Sequence, residues 1–165
     1  MARVYLSLGS NLGDRLERLR AAVERLRAAS EIRFLEASRL YETEPWESEP
    51  GQPLHRRQWY LNCAVAIETA LGRTRPPGTP EANRFAARPL DIDILFYDDR
   101  VISVSDTLHI PHLLLHERAF VLRPLTDLAP ELEHPILYRT VRELLEALED
   151  QHEIRPGDFP SRWFD

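Results

Sequence analysis

The chain has 165 residues, 43% of them hydrophobic and 29% charged, the proportions of one ordinary globular domain that buries a core without disulfides or structural metal. A formal net charge of −6 gives no bulk attraction for nucleic acid or an anionic membrane, and there is neither an apolar run near 20 residues nor an N-terminal apolar stretch with a cleavage site. All 21 basic residues are arginine and the one cysteine is Cys63, so no lysine serves a phosphate clamp or a Schiff base, no internal disulfide forms, and a reducing, cytoplasmic setting is expected.

Residues 4–8 read as a short apolar strand that the Gly9-Ser10-Asn11-Leu12-Gly13 turn breaks. A helix follows over about 14–29: Asp14 and Glu17 have capping-box spacing, and Leu16, Leu19, Val23 and Leu26 share a face. Residues 32–41 read as a second strand, 43–58 as a long proline-rich acidic loop, and 59–69 as a third strand. In that strand Tyr60, Asn62, Ala64 and Ala66 face one way and Leu61, Cys63, Val65 and Ile67 the other. The run Pro76-Pro77-Gly78-Thr79-Pro80 forbids regular structure in the middle of 70–87. Residues 89–97 form the clearest strand, with Leu90, Ile92, Ile94 and Phe96 alternating with Asp91, Asp93, Leu95 and Tyr97. A turn at 98–100 leads to a short apolar piece at Val101 and Ile102. Residues 112–122 look helical up to Pro124, and Thr140 with Glu143 caps a last helix carrying Val141, Leu144, Leu145 and Leu148. The order makes one domain, 1–165, of α+β class, with helices packed on an antiparallel-rich sheet.

The sharpest chemical feature is Asp91-Ile92-Asp93. Residues two apart on a strand share a face, with backbones roughly 6–7 Å apart. Both carboxylates then reach one metal, or a pair of metals, and hard oxygen donors favour Mg²⁺ with substrate phosphates completing its shell. A solvated acidic face has the same pattern, and Arg88, three residues upstream, tips the balance. With Arg84, Arg73 and Arg75 it offers planar donors for phosphate oxygens while the carboxylates hold the metal. Tyr60 and Asn62, sharing a face, and Phe120 suit a flat polar heterocycle that is stacked and hydrogen-bonded. His112 and His116, four apart, lack the acidic partner of a zinc helix, so His112 reads better as a phosphate contact at a helix start. The Gly9–Gly13 segment lacks the lysine and spacing of a phosphate loop, and Ser7, Ser10 and Cys63 have no visible base partner for nucleophilic catalysis.

These residues, in order, resemble the 6-hydroxymethyl-7,8-dihydropterin pyrophosphokinase family. The segments that carry the likeness are Tyr5-Leu6-Ser7-Leu8-Gly9-Ser10-Asn11-Leu12-Gly13, Leu40-Tyr41-Glu42-Thr43-Glu44-Pro45 and Tyr60-Leu61-Asn62. They continue with Arg84-Phe85-Ala86-Ala87-Arg88-Pro89-Leu90-Asp91-Ile92-Asp93-Ile94-Leu95, Ile110-Pro111-His112, Arg118-Ala119-Phe120 and Leu128-Ala129-Pro130-Glu131-Leu132. The resemblance implies a ferredoxin-like fold and transfer of pyrophosphate from ATP, the co-substrate, to the pterin hydroxymethyl oxygen, giving AMP. It implies two Mg²⁺ ions on Asp91 and Asp93, catalytic arginines at Arg88, Arg73 and Arg75, and an ATP site of Arg88, Ile94, His112, Arg118 and Phe85, where the family usually has tryptophan. The pterin would lie among Thr43, Pro45, Trp46, Tyr60, Asn62 and Phe120. The partners are then small molecules, not nucleic acid or membrane.

The chain departs from that family where Ile67-Glu68-Thr69-Ala70-Leu71 runs almost directly into Gly72-Arg73-Thr74-Arg75, since a crossover helix usually stands between them. An apolar sheet face left bare by its loss calls for a cover, supplied by a homodimer or by an unusual chain path. Residues 76–83 and 46–58 lengthen loops that should close over substrate. Two other readings stand beside the enzyme: a family member that binds nucleotide or pterin with weak or no turnover, and a ferredoxin-like RNA-binding module, which the acidic charge and missing aromatic strand pattern disfavour.

Overall fold

The computed structural model describes residues 1–47, 50–51, 59–71, 90–104 and 106–165. In chain order they form β1 (Ala2–Ser10), α1 (Arg15–Ala28), β2 (Ile32–Ala37), β3 (Tyr41–Thr43), β4 (Tyr60–Thr69), β5 (Asp91–Tyr97), β6 (Ile102–Val104), β7 (Leu108–Ile110), α2 (Ala119–Leu128), α3 (Val141–Glu146) and β8 (Ile154–Pro156). The main sheet runs β5-β1-β4-β3-β8, with β2 beside β3 on the same edge of β4, and its pairings are antiparallel. Counting β2 and β3 as one interrupted strand, the central order is last-first-third-second, the split βαβ arrangement expected of the α+β class.

Side-chain alternation sorts the sheet into two faces. Val4, Leu6 and Leu8 of β1, with Leu61, Cys63, Val65 and Ile67 of β4, bury against Leu19, Ala22 and Val23 of α1. Asp14 caps that helix by accepting the Glu17 N–H at 3.0 Å. The opposite face, including Ala64 and Phe96, packs on Val121, Leu122 and Leu125 of α2 and on Val141 and Leu144 of α3. A full capping box at Thr140 and Glu143 starts α3 as the spacing predicts.

Five sequence expectations need correction. Gly9 and Ser10 extend β1, because Gly9 pairs with both Asn62 and Asp91 across the sheet. The expected strand over 32–41 breaks at 38–40, where the Ser38 hydroxyl accepts the Ala64 N–H and its carbonyl accepts from the Trp163 indole. A bulge at Leu95 swaps the faces of the last two residues of β5: Phe96 pairs with Tyr5 on the α2 side, and Tyr97 turns towards α1. Residues 112–118 are not an α-helix: the His112 N–H donates to Leu95, and a single 3-10 turn, Leu115–Glu117, precedes α2. Pro124 lies inside α2 instead of ending it. Its missing N–H removes one helical bond, which burial of Val121, Leu122 and Leu125 outweighs.

The α1 face has an unforeseen cover. Trp163 and Phe164, with Phe159, fold back beside α1 and join its core, Trp163 with no exposed surface. The Arg20 and Arg27 side chains donate to the Trp163 and Phe164 carbonyls. At the β5 end of this face Ile92 is 49% exposed. The expected loss of a crossover helix concerns residues 72–89, which lie outside the described residues.

Candidate active site

The α2 face changes character along its length. Where α2 covers it, the sheet presents Tyr5, Ala64 and Phe96; beyond the helix N-terminus the same alternation continues with polar or small residues. Asp93 pairs with Ser7, Asp91 with Gly9, and Gly9 with Asn62, so one row of neighbouring strands brings a carboxylate, a bare backbone and an amide side by side. Strands about 4.8 Å apart set the spacing of that row. The floor is closed by Thr43 and Tyr60, by Glu44, Trp46 and Glu47 of the following loop, and by Arg118 and Phe120 at the start of α2, enclosing a cleft of about 120 Å³.

Gly9 is required by this packing. A Cβ there would stand 2.3 Å from Asn62 Oδ1, and Asn62 has no room to yield: it is buried and its Nδ2 donates to Thr43 Oγ1 at 2.6 Å. Thr43 is buried as well, so the amide is held in one orientation on the cleft wall it shares with Tyr60. Burial, and then the nearby Glu47 and Asp91 carboxylates, push the Tyr60 phenol up, so it stays neutral and serves as a ring and a hydrogen-bonding tip. Glu44, 2% exposed, accepts the Glu153 N–H at 2.7 Å and the Gly51 N–H at 3.2 Å, which pins the Trp46 loop to β8.

Arg118 is the charged centre of the opposite wall. Its guanidinium lies 5.4 Å from the Trp46 ring and 5.6 Å from the Phe120 ring. Its Nε is buried without a hydrogen-bond partner among the described residues. Burial works against the Arg118 charge, while Asp93 and then Glu47 support it. A half-buried cation with an orphan donor beside a cleft is a natural anion contact. His112 is close enough to feel the same groups: burial pushes its pKa down, Asp93 opposes that, and Arg118 adds to it. Its Nδ1 accepts the Leu114 N–H at 3.2 Å, which leaves the ring proton on Nε2. No helix starts at His112, contrary to the sequence expectation: it sits in a loop whose backbone N–H donates to Leu95 of β5.

Of the residues singled out from sequence, Thr43, Trp46, Tyr60, Asn62, Asp91, Asp93, Arg118 and Phe120 come together in this one cleft. Pro45 lies between two cleft residues without lining it, and Ile94 points to the α1 core. Arg73, Arg75, Arg84, Phe85 and Arg88 lie outside the described residues. Sequence reasoning missed Ser7, Gly9, Glu44 and Glu47. The first two were available from period-2 alternation, had β1 been carried to its end; the two glutamates sit in an irregular loop with no pattern to betray them. Among the described residues no group of three His, Cys, Asp or Glu is placed to hold a metal. The lone Cys63 is buried in the sheet and burial pushes its thiol up, so it supplies no thiolate.

A family model described as 7,8-dihydro-6-hydroxymethylpterin-pyrophosphokinase (HPPK) matches residues 5–130. The 2-amino-4-hydroxy-6-hydroxymethyldihydropteridine pyrophosphokinase of Methylorubrum extorquens is 39% identical over 165 residues, covering 90% of this chain and 95% of the relative. The protein of the same name from Porphyromonas gingivalis is 43% identical over 145 residues, covering 82% and 95%. The folic acid synthesis protein fol1 of Schizosaccharomyces pombe is 38% identical over 159 residues, and there the match spans 89% of this chain and 20% of the relative. Among solved structures, wild-type HPPK-DHPS of Plasmodium falciparum with pteroate superposes with a TM-score of 0.62 at 17% identity, over 88% of this chain and 42% of that one. That likeness shows the fold, and the chain spans under half of that larger protein.

Proposed function

The chain belongs to the 7,8-dihydro-6-hydroxymethylpterin-pyrophosphokinase family, and from that premise we propose that its cleft transfers pyrophosphate from ATP to 6-hydroxymethyl-7,8-dihydropterin, giving AMP and the pterin diphosphate of folate biosynthesis. The observation that carries the reading is the meeting, in one cleft, of the Asp91/Asp93 pair, the Tyr60–Asn62 wall and the Arg118–Phe120 wall. A flat pterin fits between the Tyr60 and Phe120 rings, with Trp46 above Phe120, and its polar edge meets Asn62 and Thr43. Because Asn62 donates to Thr43 Oγ1, the threonine hydroxyl keeps its own proton to donate to a ring acceptor.

Asp91 and Asp93 fit Mg²⁺: both are hard oxygen donors on one face of β5 at the cleft, and Mg²⁺ takes one or two carboxylates with water and phosphate oxygens. Bound there, two such ions supply charge neutralisation on the triphosphate. Arg118 lines the cleft with Asp91 and Asp93 and offers its guanidinium to the phosphates, and Arg88, Arg73 and Arg75 are the further phosphate contacts the family likeness suggests. The pterin hydroxymethyl oxygen bonds to the β-phosphorus, the bond from that phosphorus to the α–β bridging oxygen breaks, AMP leaves with the electron pair, and the hydroxyl proton is released. No protein nucleophile is used, which agrees with the inert Cys63.

A coupled AMP-release assay with ATP, Mg²⁺ and the hydroxymethyl pterin tests the reading, and AMP release no greater than without pterin would sink it. Gly9→Ala is expected to raise the KM for the pterin about tenfold by displacing the Asn62 amide, the worth of one hydrogen-bonding group. Steady-state kinetics at saturating ATP checks this, and an unchanged KM would mean that Asn62 does not hold the substrate. Among the described residues no helix is long and apolar enough to cross a membrane, and we place the enzyme in the cytoplasm on the strength of its single buried thiol. The case for a homodimer narrows to the Ile92 end of the sheet, since the Trp163–Phe164 segment covers the β2–β4 side; light scattering at working concentration settles it.

A further inference from the structure

Asp150 and His152 lie behind the cleft, and the proposed reaction assigns them nothing. They follow α3, in a segment without regular structure, yet their side chains are 2% and 12% exposed. Asp150 Oδ1 accepts both the backbone N–H and the ring Nδ1–H of His152. Its Oδ2 accepts the Ala119 N–H at 3.0 Å. Ala119 is the first residue of α2, whose N-cap, Arg118, makes no side-chain capping bond. Asp150 therefore caps this helix from a distant part of the chain, at the turn that carries Arg118 and Phe120 into the cleft. The His152 ring lies against Trp46, centroids 5.3 Å apart and planes 34° apart, and Trp46 meets Phe120 at 6.3 Å. One carboxylate thus ties together the helix start and the support behind the loop tryptophan.

We propose that Asp150 and His152 are positioning residues for the transfer: Asp150 sets the helix start that aims Arg118 and Phe120, and the His152 ring sets Trp46 over the pterin. The inference rests on the functional reading above. The indole is held between the Arg118 guanidinium and Phe120 on the cleft side and the His152 ring behind, and without that ring the loop loses its registration with Phe120. The two residues divide the effect. His152 acts on the acceptor side alone, and Asp150 acts on both walls.

His152→Ala is expected to raise the KM for the pterin about five- to tenfold, the worth of one aromatic contact, with the KM for ATP within about twofold of wild type. His152→Phe keeps a ring behind Trp46 and loses only the ring donor to Asp150, which still accepts two backbone N–H groups, and is expected to bring the pterin KM back to within about threefold. Asp150→Ala is expected to lower kcat about tenfold as well, because the helix start that holds Arg118 frays. A role in stability alone would lower Tm in all three variants without this split. If His152→Ala does not fold, His152→Gln, which keeps a donor and loses the ring, replaces it with the same expected rise. A pterin KM within twofold of wild type in the ringless variant, or one that His152→Phe fails to restore, overturns the inference alone. A wild type that releases no AMP overturns the functional reading and this inference with it.

Discussion

Asp93→Ala is expected to lower turnover on the order of a thousandfold while leaving the melting temperature within a few degrees of wild type. The two halves of that expectation have separate origins. Asp93 stands on the exposed part of β5, paired through its backbone with Ser7, and contributes nothing to either core cluster, so its removal leaves the packing intact. Its carboxylate, however, is one of two that the proposed metal site has at the cleft, and an ion held by Asp91 alone loses both affinity and position. Raising Mg²⁺ should recover part of the rate if affinity is the main loss, and none of it if position is. A second readout is independent of metal. Asp93 is the group that opposes the burial-driven lowering of the His112 pKa. Without it that pKa should fall further, a direction that a proton NMR titration of His112 would register. Near-normal turnover in the variant would remove Asp93 from the metal site, and an unmoved His112 titration would show that the two side chains do not share the cleft's field.

What the residue pattern revealed, and what it hid, follows from the range of the forces involved. Strand and helix order was legible because Leu19 and Val23, or Leu61, Cys63, Val65 and Ile67, repeat at the period of their element. The meeting of Asp91 with Asp93 and of Tyr60 with Asn62 in the cleft was legible for the same reason, since period 2 places both residues of each pair on one face. The bulge at Leu95 was not legible, because it shifts the register by one residue without changing composition. The continuation of α2 through Pro124 was hidden because burial against the sheet, which no local propensity contains, outweighs the lost bond. The buried Glu44 escaped notice because its partners, Gly51 and Glu153, come from separate parts of the chain. The short strand β8 escaped notice because three residues carry too little period to be read, although β8 completes the edge beside β3.

The same long-range logic predicts that Trp163→Ala costs roughly 3–5 kcal/mol, the range for emptying an aromatic core position. Trp163 has no exposed surface, and its indole N–H donates to the Ser38 carbonyl at 2.8 Å, at the break between β2 and β3. Removing it opens a cavity and also leaves that carbonyl without its donor, which places the cost in the upper part of the range. Its ring meets Phe164 edge-on, and Phe164 in turn packs on Phe34 under the Arg27 guanidinium, so the whole segment loosens with it. At roughly 2–4 °C per kcal/mol for a chain of this size, the melting temperature should fall on the order of 10 °C. Trp163→Phe, which fills much of the volume and loses only the hydrogen bond, should cost less than half as much. Both numbers come from thermal or urea unfolding followed by circular dichroism. Activity measured well below the new melting point should be nearly unchanged, because Trp163 packs on the α1 face and the cleft opens on the other. A variant that lost turnover in proportion to stability would mean that the sheet transmits the loosening of one face to the other, and the division of labour between the two faces would fail.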